Sequence, residues 1–382
     1  MSDRRLYRDA DPPARMGRGC CNARSVYRLG RSTFAVVLGA AMVAACSSSS
    51  SPRSSSAPAT HRATATLREL ADRRHLLIGS AVADRPLRTE ADYRHVLARE
   101  FNLVEPEDVM KWSTVHPARD TYDFTAGDRL VRFAEQHGMK VRGHNLVWEN
   151  FNPAWLTALT PSRPEAIALL RDHITAVVSH YRGKIAQWDV VNEALAEGDH
   201  GSMRDGVWLR WIGPEYVPMA FRFAHDADPS AQLFYNDYDW RSPGPKTDHI
   251  LELAQHIRET GAPIDGVGIQ LHVLHSLKVA AELSKLRAIA RAGFDVAMTE
   301  VDNRRKLPTT TAALDDQERK FGDLLGMCLA IPRCRTFNLW GFTDRHSWIP
   351  GSFPGFGAGT VMDKRLRPKP AFFALRRALL SR

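Results

Sequence analysis

Short runs of apolar and β-branched residues alternate with longer segments of helical period from about residue 70 to the end of the chain. A short apolar run bounded by turn residues is typical of a buried strand, whereas apolar residues that recur every three or four positions are typical of an amphipathic helix. The runs that predict strands span residues 76–82, 101–107, 140–148, 185–193, 232–238, 266–273, 294–302 and 336–344. The clearest helical periods lie at residues 127–138, 164–183, 248–261, 280–293 and 370–380.

Strand and helix follow each other eight times in this pattern. Alternating β and α elements predict a parallel sheet with helices packed against it. Eight such units in roughly 310 residues favour a closed (β/α)8 TIM barrel over an open, doubly wound sheet. The first predicted strand is not followed by a GxGxxG loop, which argues against a dinucleotide-binding fold. Residues 66–382 are therefore predicted to form a single α/β domain.

The N-terminal part of the chain does not show this alternation of strands and helices. A basic start leads into an apolar run from Phe34 that is too short to span a bilayer and is typical of a signal peptide. The run ends in VAAC, which resembles a bacterial lipobox and implies lipidation of Cys46, with ordinary cleavage near Ala45 as the alternative. We therefore predict a signal peptide over residues 1–46 and a flexible Ser/Pro/Ala-rich linker over residues 47–65. The protein would be exported as an outer-membrane or cell-surface lipoprotein, or otherwise be secreted or periplasmic.

More than half of the positive net charge lies in the N-terminal part of the chain. The formal charge is +9, but residues 1–45 contribute +5, and the remaining +4 is spread over interspersed acids and bases. No basic stripe remains for the predicted barrel, so we expect no nucleic-acid partner, and contact with a membrane only through the N-terminal anchor. The 44% hydrophobic content is ample for the core of a large domain.

Two cysteines, Cys328 and Cys334, lie in the barrel region with five residues between them. An exported protein meets an oxidising compartment, so a disulfide across this short loop is one interpretation, and two buried free thiols are the other. No CxxC pair or Cys/His cluster with zinc-ligand spacing occurs in the sequence. We therefore expect no structural metal.

Polar and aromatic residues stand where the predicted strands end. In chain order these ends carry Glu107 and Asp108 with Lys111, His144 and Asn145 with Trp148, Asn192 and Glu193, Asn236 to Tyr238, Gln270 and His272, Glu300 and Asp302, and Trp340 with Trp348. The carboxyl ends of barrel strands share one mouth, where barrel enzymes place their active sites. Amides and carboxylates bind hydroxyl groups, and Trp faces stack on sugar rings. The sequence therefore predicts a cleft for a polar, ring-shaped molecule.

Two of these residues, Glu193 and Glu300, each follow an apolar or β-branched run and a small polar residue. They end the fourth and seventh predicted strands, which lie on opposite sides of an eight-stranded barrel, so their carboxyls can face each other across the mouth. Glycoside hydrolysis needs such a pair, and a separation of about 5–5.5 Å indicates retention through a covalent intermediate. The alternative is that they are two unrelated structural acids.

Seven motifs occur in order, one at each strand end from the second to the eighth. They are PEDVMKW (106–112), GHNLVW (143–148), WDVVNEAL (188–195), FYNDYD (234–239), IDGVGIQLH (264–272), MTEVD (298–302) and LWGFTDRHSW (339–348). With these motifs the chain, from about residue 70 to residue 378, resembles glycoside hydrolase family 10, the endo-1,4-β-xylanases. The resemblance implies a (β/α)8 barrel and hydrolysis of internal β-1,4-xylosidic bonds of xylan with retention. It also implies a mechanism without a metal or other cofactor.

Carried over to this chain, the resemblance implies that Glu193 is the acid/base and Glu300 the nucleophile of a double displacement. Glu193 must then keep its proton near neutral pH while Glu300 is ionised, which requires different surroundings for the two carboxyls. The implied substrate-binding residues are Lys111, His144, Trp148, Asn192, Tyr238, Gln270, His272, Trp340 and Trp348, with Asp302 orienting His272. The expected partner is xylan or its oligosaccharides, bound by a monomer.

The chain departs from the family pattern at two positions on the glycone side. Asp108 stands where the family usually has Asn, and Phe151 stands where it usually has Gln. An added carboxylate and a lost amide change the hydrogen-bond partners offered to sugar hydroxyls two rings from the cleavage point. Two alternatives therefore stay open beside the xylanase. One is a related retaining barrel glycosidase acting on another β-linked glycan or a decorated oligosaccharide, and the other is a surface carbohydrate-binding protein without turnover.

Overall fold

Eight parallel strands close into a barrel in the computed structural model, which describes residues 65–197, 201–239, 245–273 and 277–381. The strands are β1 (Leu77–Val82), β2 (Leu103–Pro106), β3 (Lys140–Trp148), β4 (Gln187–Asn192), β5 (Gln232–Tyr238), β6 (Gly266–His272), β7 (Asp295–Asp302) and β8 (Cys334–Leu339). Each strand pairs with the next in chain order, and β8 pairs with β1. The predicted TIM barrel is confirmed.

The helices precede, connect and follow the strands. They are α1 (Leu67–Asp72), α2 (Asp84–Thr89), α3 (Ala91–Glu100), α4 (Trp112–Val115), α5 (Thr125–Gln136), α6 (Ala154–Thr157), α7 (Arg163–His180), α8 (Val207–Ile212), α9 (Tyr216–Ala227), α10 (Pro245–Glu259), α11 (Val279–Arg291), α12 (Thr311–Leu329), α13 (Ile349–Ser352) and α14 (Pro370–Leu380). The five helical periods read from the sequence correspond to α5, α7, α10, α11 and α14. A 3-10 turn at Glu149–Phe151 follows β3, and a small antiparallel sheet pairs Arg305–Lys306 with Phe356–Gly357.

The eighth strand is shorter than its predicted span of residues 336–344. It starts at Cys334 and ends at Leu339, shortly before Gly341. Gly341 has a φ of 85°, a conformation that glycine adopts readily and that interrupts an extended strand. The chain turns there, so that Trp340 and the loop leading to Trp348 belong to the barrel mouth and not to the sheet.

The barrel interior is polar near its centre. Gln187 Oε1 accepts hydrogen bonds from Arg142 Nη1 at 2.9 Å and from Thr336 Oγ1 at 3.1 Å, which joins β3, β4 and β8. A Cβ atom at Gly268 would lie 2.3 Å from Asn236 Oδ1, so the glycine in β6 leaves room for the amide of β5. Because these buried polar groups pair with one another, their burial is tolerated, and they support the mouth from below.

The apolar core lies between the sheet and the helices, and large fully buried side chains such as Trp188, Phe221 and Phe321 fill it. Cys328 in α12 and Cys334 at the start of β8 form a disulfide, with their Cα atoms 5.2 Å apart. Within the described ranges, no helix has both the length and the apolar character needed to cross a bilayer. The predicted signal peptide, the lipidation candidate Cys46 and all of the predicted linker except Ala65 lie outside the described residues.

Candidate active site

Two glutamates, Glu193 and Glu300, lie at the carboxyl end of the barrel with an unusual backbone. Glu193 directly follows β4, Glu300 lies within β7, and both have a φ of 55°. A non-glycine residue in this left-handed region costs about 1–3 kcal/mol and persists only where its surroundings hold it. Two hydrogen bonds hold the backbone of Glu193. Its N–H donates to the Asn236 carbonyl at 2.9 Å, and its carbonyl accepts from Arg204 Nε at 2.9 Å.

The carboxyl group of Glu193 is only weakly held by donors. The side-chain amides of Asn192 and Gln270 each lie 3.3 Å from its Oε1, and Arg204 Nη2 lies 3.6 Å from its Oε2. Burial raises the pKa of Glu193, and the charges of Asp237 and Glu300 raise it further against the opposing charge of Arg204. The site therefore favours the protonated form of Glu193.

The carboxyl group of Glu300 is held by stronger partners. Asn236 Nδ2 donates to its Oε1 at 2.9 Å, and His272 Nε2 lies 3.1 Å from its Oε2. Burial acts to raise the pKa of Glu300, but the hydrogen bond from His272 and the charge of His144 outweigh it and hold the pKa below the usual value. The site therefore favours an ionised Glu300, which is the form that a nucleophile needs.

Asn236 connects the two halves of the site. Its Nδ2 donates both to Glu300 and to Asn192 Oδ1, the latter at 2.8 Å, while its Oδ1 accepts from Thr299 Oγ1 at 2.7 Å. Gln270 Nε2 donates to the same Asn192 oxygen at 3.1 Å. These bonds fix the orientation of each amide, so the Asn192 side chain has a defined position beside Glu193.

His272 lies between two carboxylates. Its Nε2 faces Glu300, and its Nδ1 lies 3.1 Å from Asp302 Oδ2, which also accepts from Trp348 Nε1 at 2.7 Å. Burial acts to lower the pKa of His272, but the charge and hydrogen bond of Asp302, with those of Glu300, raise it to about 10. His272 is therefore cationic near neutral pH, and its contact with Asp302 fits the orienting role that the family resemblance implies for that aspartate.

Aromatic rings surround the carboxylates. The His144 ring lies 5.4 Å from Trp340 and 6.3 Å from Trp148, and the His272 ring lies 6.3 Å from Trp340 and 5.0 Å from Trp348 between centroids. The contacts are continuous from Trp148 to Trp348. Such an arrangement can offer flat apolar faces to sugar rings while the polar groups below bind hydroxyls.

Lys111 forms a group with four neighbours that we call the Lys111 box: Lys111, Asp108, Phe151, Trp148 and Trp340. Its ammonium lies 2.9 Å from Asp108 Oδ1 and above three rings, 4.2 Å from the centroid of Phe151, 5.0 Å from Trp148 and 5.8 Å from Trp340. Phe151 stacks on Trp148 with centroids 4.9 Å apart. The two residues that depart from the family pattern therefore both contact Lys111.

A buried ionic cluster lies below His144. His144 Nδ1 is 3.0 Å from Asp189 Oδ2 and 3.5 Å from Glu105 Oε1, and Arg142 pairs with Asp189. Burial and the charge of Asp189 raise the pKa of Glu105. Burial acts to raise the pKa of Asp189 as well, but Arg142 and His144 outweigh it and lower that pKa. Glu105, His144 and Asp189 are close enough to share a metal ion, but the guanidinium of Arg142 already supplies the positive charge between the acids. The group is better described as an ion-pair network that supports His144.

The far side of Glu193 carries a second set of charges. Arg204 Nη2 lies 3.1 Å from the hydroxyl of Tyr238 and 3.8 Å from Glu197 Oε1. Lys246 Nζ lies 2.9 Å from Asp237 Oδ1 and 4.0 Å from the centroid of Tyr238. Tyr238 is thus held at the end of β5 by Lys246 and by Arg204, which also lies next to Glu193.

The structure brings the predicted catalytic and substrate-binding residues, together with Asp302, into one connected set at the carboxyl-end side of the barrel. Sequence reasoning missed the roles of Asn236 and Arg204, and also the buried network of Glu105, Arg142 and Asp189. A charged residue inside an apolar run, such as Asp189 in WDVVNE, was the available signal for that network. Arg204 lies in the segment between β4 and α8, where no periodicity marks it.

Comparisons with known proteins agree with this arrangement. The sequence pattern of glycosyl hydrolase family 10 matches residues 66–378. Endo-1,4-beta-xylanase B of Thermotoga neapolitana is 38% identical over 313 residues, which cover 81% of this chain and 90% of that protein. Endo-1,4-beta-xylanase 1 of Humicola insolens is 36% identical over 302 residues, 78% of this chain and 70% of that protein. The crystal structure of xylanase 10B from Thermotoga petrophila RKU-1 in complex with xylobiose superposes with a TM-score of 0.80 at 38% identity, covering 82% of this chain and 97% of that one.

Proposed function

The chain belongs to glycosyl hydrolase family 10, and on that basis we propose that it is a retaining endo-1,4-β-xylanase. The observation that carries the proposal is the opposed acidity of two buried glutamates at one barrel mouth. Glu193 has a raised pKa and Glu300 a lowered one. A double displacement needs one protonated and one ionised carboxyl on either side of the scissile bond.

In the first step Glu300 attacks the anomeric carbon and forms a glycosyl ester, while Glu193 gives its proton to the departing oxygen. In this proposal Asn192 binds the 2-hydroxyl of the sugar over Glu300, and its hydrogen bonds from Asn236 and Gln270 support that role. Positive charge develops at the anomeric carbon in the transition state, so this bond and the ionised Glu300 stabilise the transition state more than the bound substrate.

In the second step Glu193 acts as a base. Formation of the ester removes the negative charge of Glu300, which is one of the charges that raise the pKa of Glu193. The pKa of Glu193 therefore falls, and its carboxylate can take a proton from the water that attacks the ester. The water restores the anomeric configuration of the substrate, and Glu193 regains its proton.

The aromatic and cationic groups fix the sugars on either side of these carboxylates. His144, Trp148 and Trp340 line the side of the retained sugar, with Lys111 one ring further out. Tyr238 lies beside Glu193 on the side where the departing sugar would lie. Trp348 is anchored through its hydrogen bond to Asp302 and forms a second stacking wall.

Product analysis tests this function. Wild type should release xylo-oligosaccharides from xylan, and proton NMR during hydrolysis of a xylo-oligosaccharide should show the β-anomer first, while Glu300→Ala should release none. Carboxymethyl-cellulose and mixed-linkage glucan serve as competing substrates. Activity on one of these glycans with none on xylan would indicate the related glycosidase, and binding without turnover on any of them would indicate the carbohydrate-binding protein.

We further propose that the protein is exported and anchored by a lipid at Cys46. It is supported by the apolar run that ends in VAAC at Cys46 and by the disulfide between Cys328 and Cys334, which an oxidising compartment favours. Metabolic labelling with a radioactive fatty acid should mark the protein expressed from the full sequence, and Cys46→Ser should abolish the label. Label retained by Cys46→Ser would reject the anchor. Size-exclusion chromatography of the barrel domain tests the expectation of a monomer.

A further inference from the structure

The Lys111 box places an exposed carboxylate over a buried ammonium. The side chain of Lys111 is 5% exposed, whereas that of its partner Asp108 is 59% exposed. The ammonium therefore faces the rings of Phe151, Trp148 and Trp340, and the carboxylate faces solvent. A molecule that approaches from solvent meets the negative end of this pair first.

The charges of the box cancel internally. Asp108 neutralises the charge of Lys111 at 2.9 Å, and the cation also lies against the ring of Phe151. The neighbouring acid Glu107 is only partly ionised near neutral pH, because burial and the charge of Asp108 raise its pKa to about 7. Without Asp108, the positive charge of Lys111 would attract an anionic ligand. The Lys111–Asp108 ion pair has no net charge and does not attract such a ligand.

The box lies on the side of the retained sugar. Trp148 and Trp340 each border His144, whose charge acts on Glu300. Under the proposed function the departing sugar would lie next to the proton donor Glu193, which Arg204 contacts together with Tyr238. A sugar that extends past the rings of Trp148 and Trp340 therefore reaches the Lys111 box.

We propose that the Lys111 box selects glycans by charge, so that the enzyme accepts neutral xylose units there and discriminates against units that carry an acidic substituent. The inference rests on the proposed xylanase function and specifies its substrate class. Asp108 is the residue that sets the selectivity, since it holds the exposed negative charge. Phe151 gives the box an apolar face in place of a hydrogen-bonding one, which suits a neutral ring.

The test compares two defined oligosaccharides, a linear neutral xylo-oligosaccharide and one of equal length with a uronic acid on the second xylose from the cleavage point on the glycone side. For wild type, kcat/KM should be lower on the acidic oligosaccharide. Asp108→Asn should raise the ratio of kcat/KM on the acidic to that on the neutral oligosaccharide about three- to tenfold, the effect of one like charge near the surface. Phe151→Gln changes the shape of the box but not its charge, so it should change both substrates by a similar factor.

Asp248→Asn is the matched control, because Asp248 is also an exposed aspartate, 62% exposed and paired with Lys285 on the outer helices. It should leave the ratio as in wild type. A second measurement needs no variant: added NaCl should raise the wild-type rate on the acidic oligosaccharide relative to the neutral one, because salt screens the repulsion. An equal ratio in wild type and Asp108→Asn, or no effect of salt on the wild-type ratio, would overturn the proposal. Failure to cleave even the neutral oligosaccharide would instead count against the xylanase function.

Discussion

Glu193 and Glu300 are the same residue type in the same left-handed backbone conformation, and the barrel gives them opposite acidities. Burial raises the pKa of both, so burial does not distinguish them. The difference lies in the partners. The donors around Glu193 are two amides at 3.3 Å, whereas Glu300 accepts from an amide at 2.9 Å and lies 3.1 Å from a cationic imidazole.

The comparison points to His272, whose hydrogen bond opposes burial most strongly at Glu300, with the charge of His144 acting in the same direction. His272 is held cationic by Asp302 and contacts Glu300 directly. The cation nearest Glu193, Arg204, lies 3.6 Å from the carboxyl and uses its Nε on the backbone. A kinetic pH profile should therefore be bell-shaped, with loss of activity at low pH as Glu300 gains a proton and at high pH as Glu193 loses one.

Removal of Glu300 should have the largest effect. In Glu300→Ala no carboxylate remains to form the ester, so kcat should fall about 10⁴- to 10⁶-fold on every substrate, natural or activated. The measurement is kcat on xylotetraose and on a dinitrophenyl β-xylobioside. Glu215→Ala removes an exposed glutamate, 57% exposed and paired with Arg163, and should act as wild type. Activity of Glu300→Ala on the activated glycoside would mean that another group forms the ester.

Removal of Glu193 should affect hydrolysis of xylan much more than reaction with an activated glycoside. In Glu193→Ala the departing oxygen has no proton donor, so kcat on xylan should fall about 10²- to 10⁴-fold. A dinitrophenolate leaves without a proton, so formation of the ester from the activated glycoside should be affected far less, and a burst of dinitrophenol should appear. Added azide can replace the water that needs a base and should yield a β-glycosyl azide. Equal losses on both substrates would remove the assignment of Glu193 as the acid.

His272→Asn should move the acid limb of the pH profile. Without the cation the pKa of Glu300 rises, so the limb of kcat/KM at low pH should shift to higher pH, and activity at neutral pH should fall about 10- to 100-fold. Asp302→Asn should shift the same limb in the same direction by less. His180→Asn disrupts a His–Asp contact of 2.7 Å at the end of α7 and is the control. An unmoved acid limb in His272→Asn would show that His272 does not set the ionisation of Glu300.

Arg204→Gln should have the smallest effect and act on the opposite limb. The charge of Arg204 lowers the pKa of Glu193, so its removal should raise that pKa and move the alkaline limb to higher pH. The predicted loss in kcat is about tenfold or less, because the proton donor itself remains. Arg210→Gln, at a 53% exposed arginine of α8 paired with Asp205, should leave the limb in place. A shift of the alkaline limb to lower pH would mean that Arg204 does not act on Glu193 as a nearby positive charge.

The sequence predicted the elements with strong periodicity and the residues with a fixed place relative to them. The carboxyl ends of the strands could be located because apolar runs stop there, and Glu193, Glu300, His272 and Trp340 lie at or next to these ends. The long amphipathic helices α5 and α7 were recognisable for the same reason. Family motifs then supplied expected roles that periodicity alone could not, such as the contact with the 2-hydroxyl that we propose for Asn192.

Contacts between distant segments could not be predicted from the pattern. Arg204 reaches Glu193 from a segment without periodicity, and Lys246 reaches Asp237 from the start of α10. The clustering of Asp108 and Phe151 on Lys111 depends on how the end of β2 meets the turn after β3. Each of these contacts is set by three-dimensional packing, which local propensity does not encode.

The left-handed backbone at both glutamates also has a consequence for protein engineering. Among the described residues, five non-glycine positions have a positive φ, and two of them are Glu193 and Glu300. Glycine at either position would relieve the backbone cost, so a selection for thermal stability alone would favour discarding the two carboxyls to which we assign the reaction. A library screened for heat resistance should therefore be screened for turnover at the same time. In barrels of unknown function, a carboxylate with positive φ at the end of a strand is a criterion for choosing which residue to mutate first.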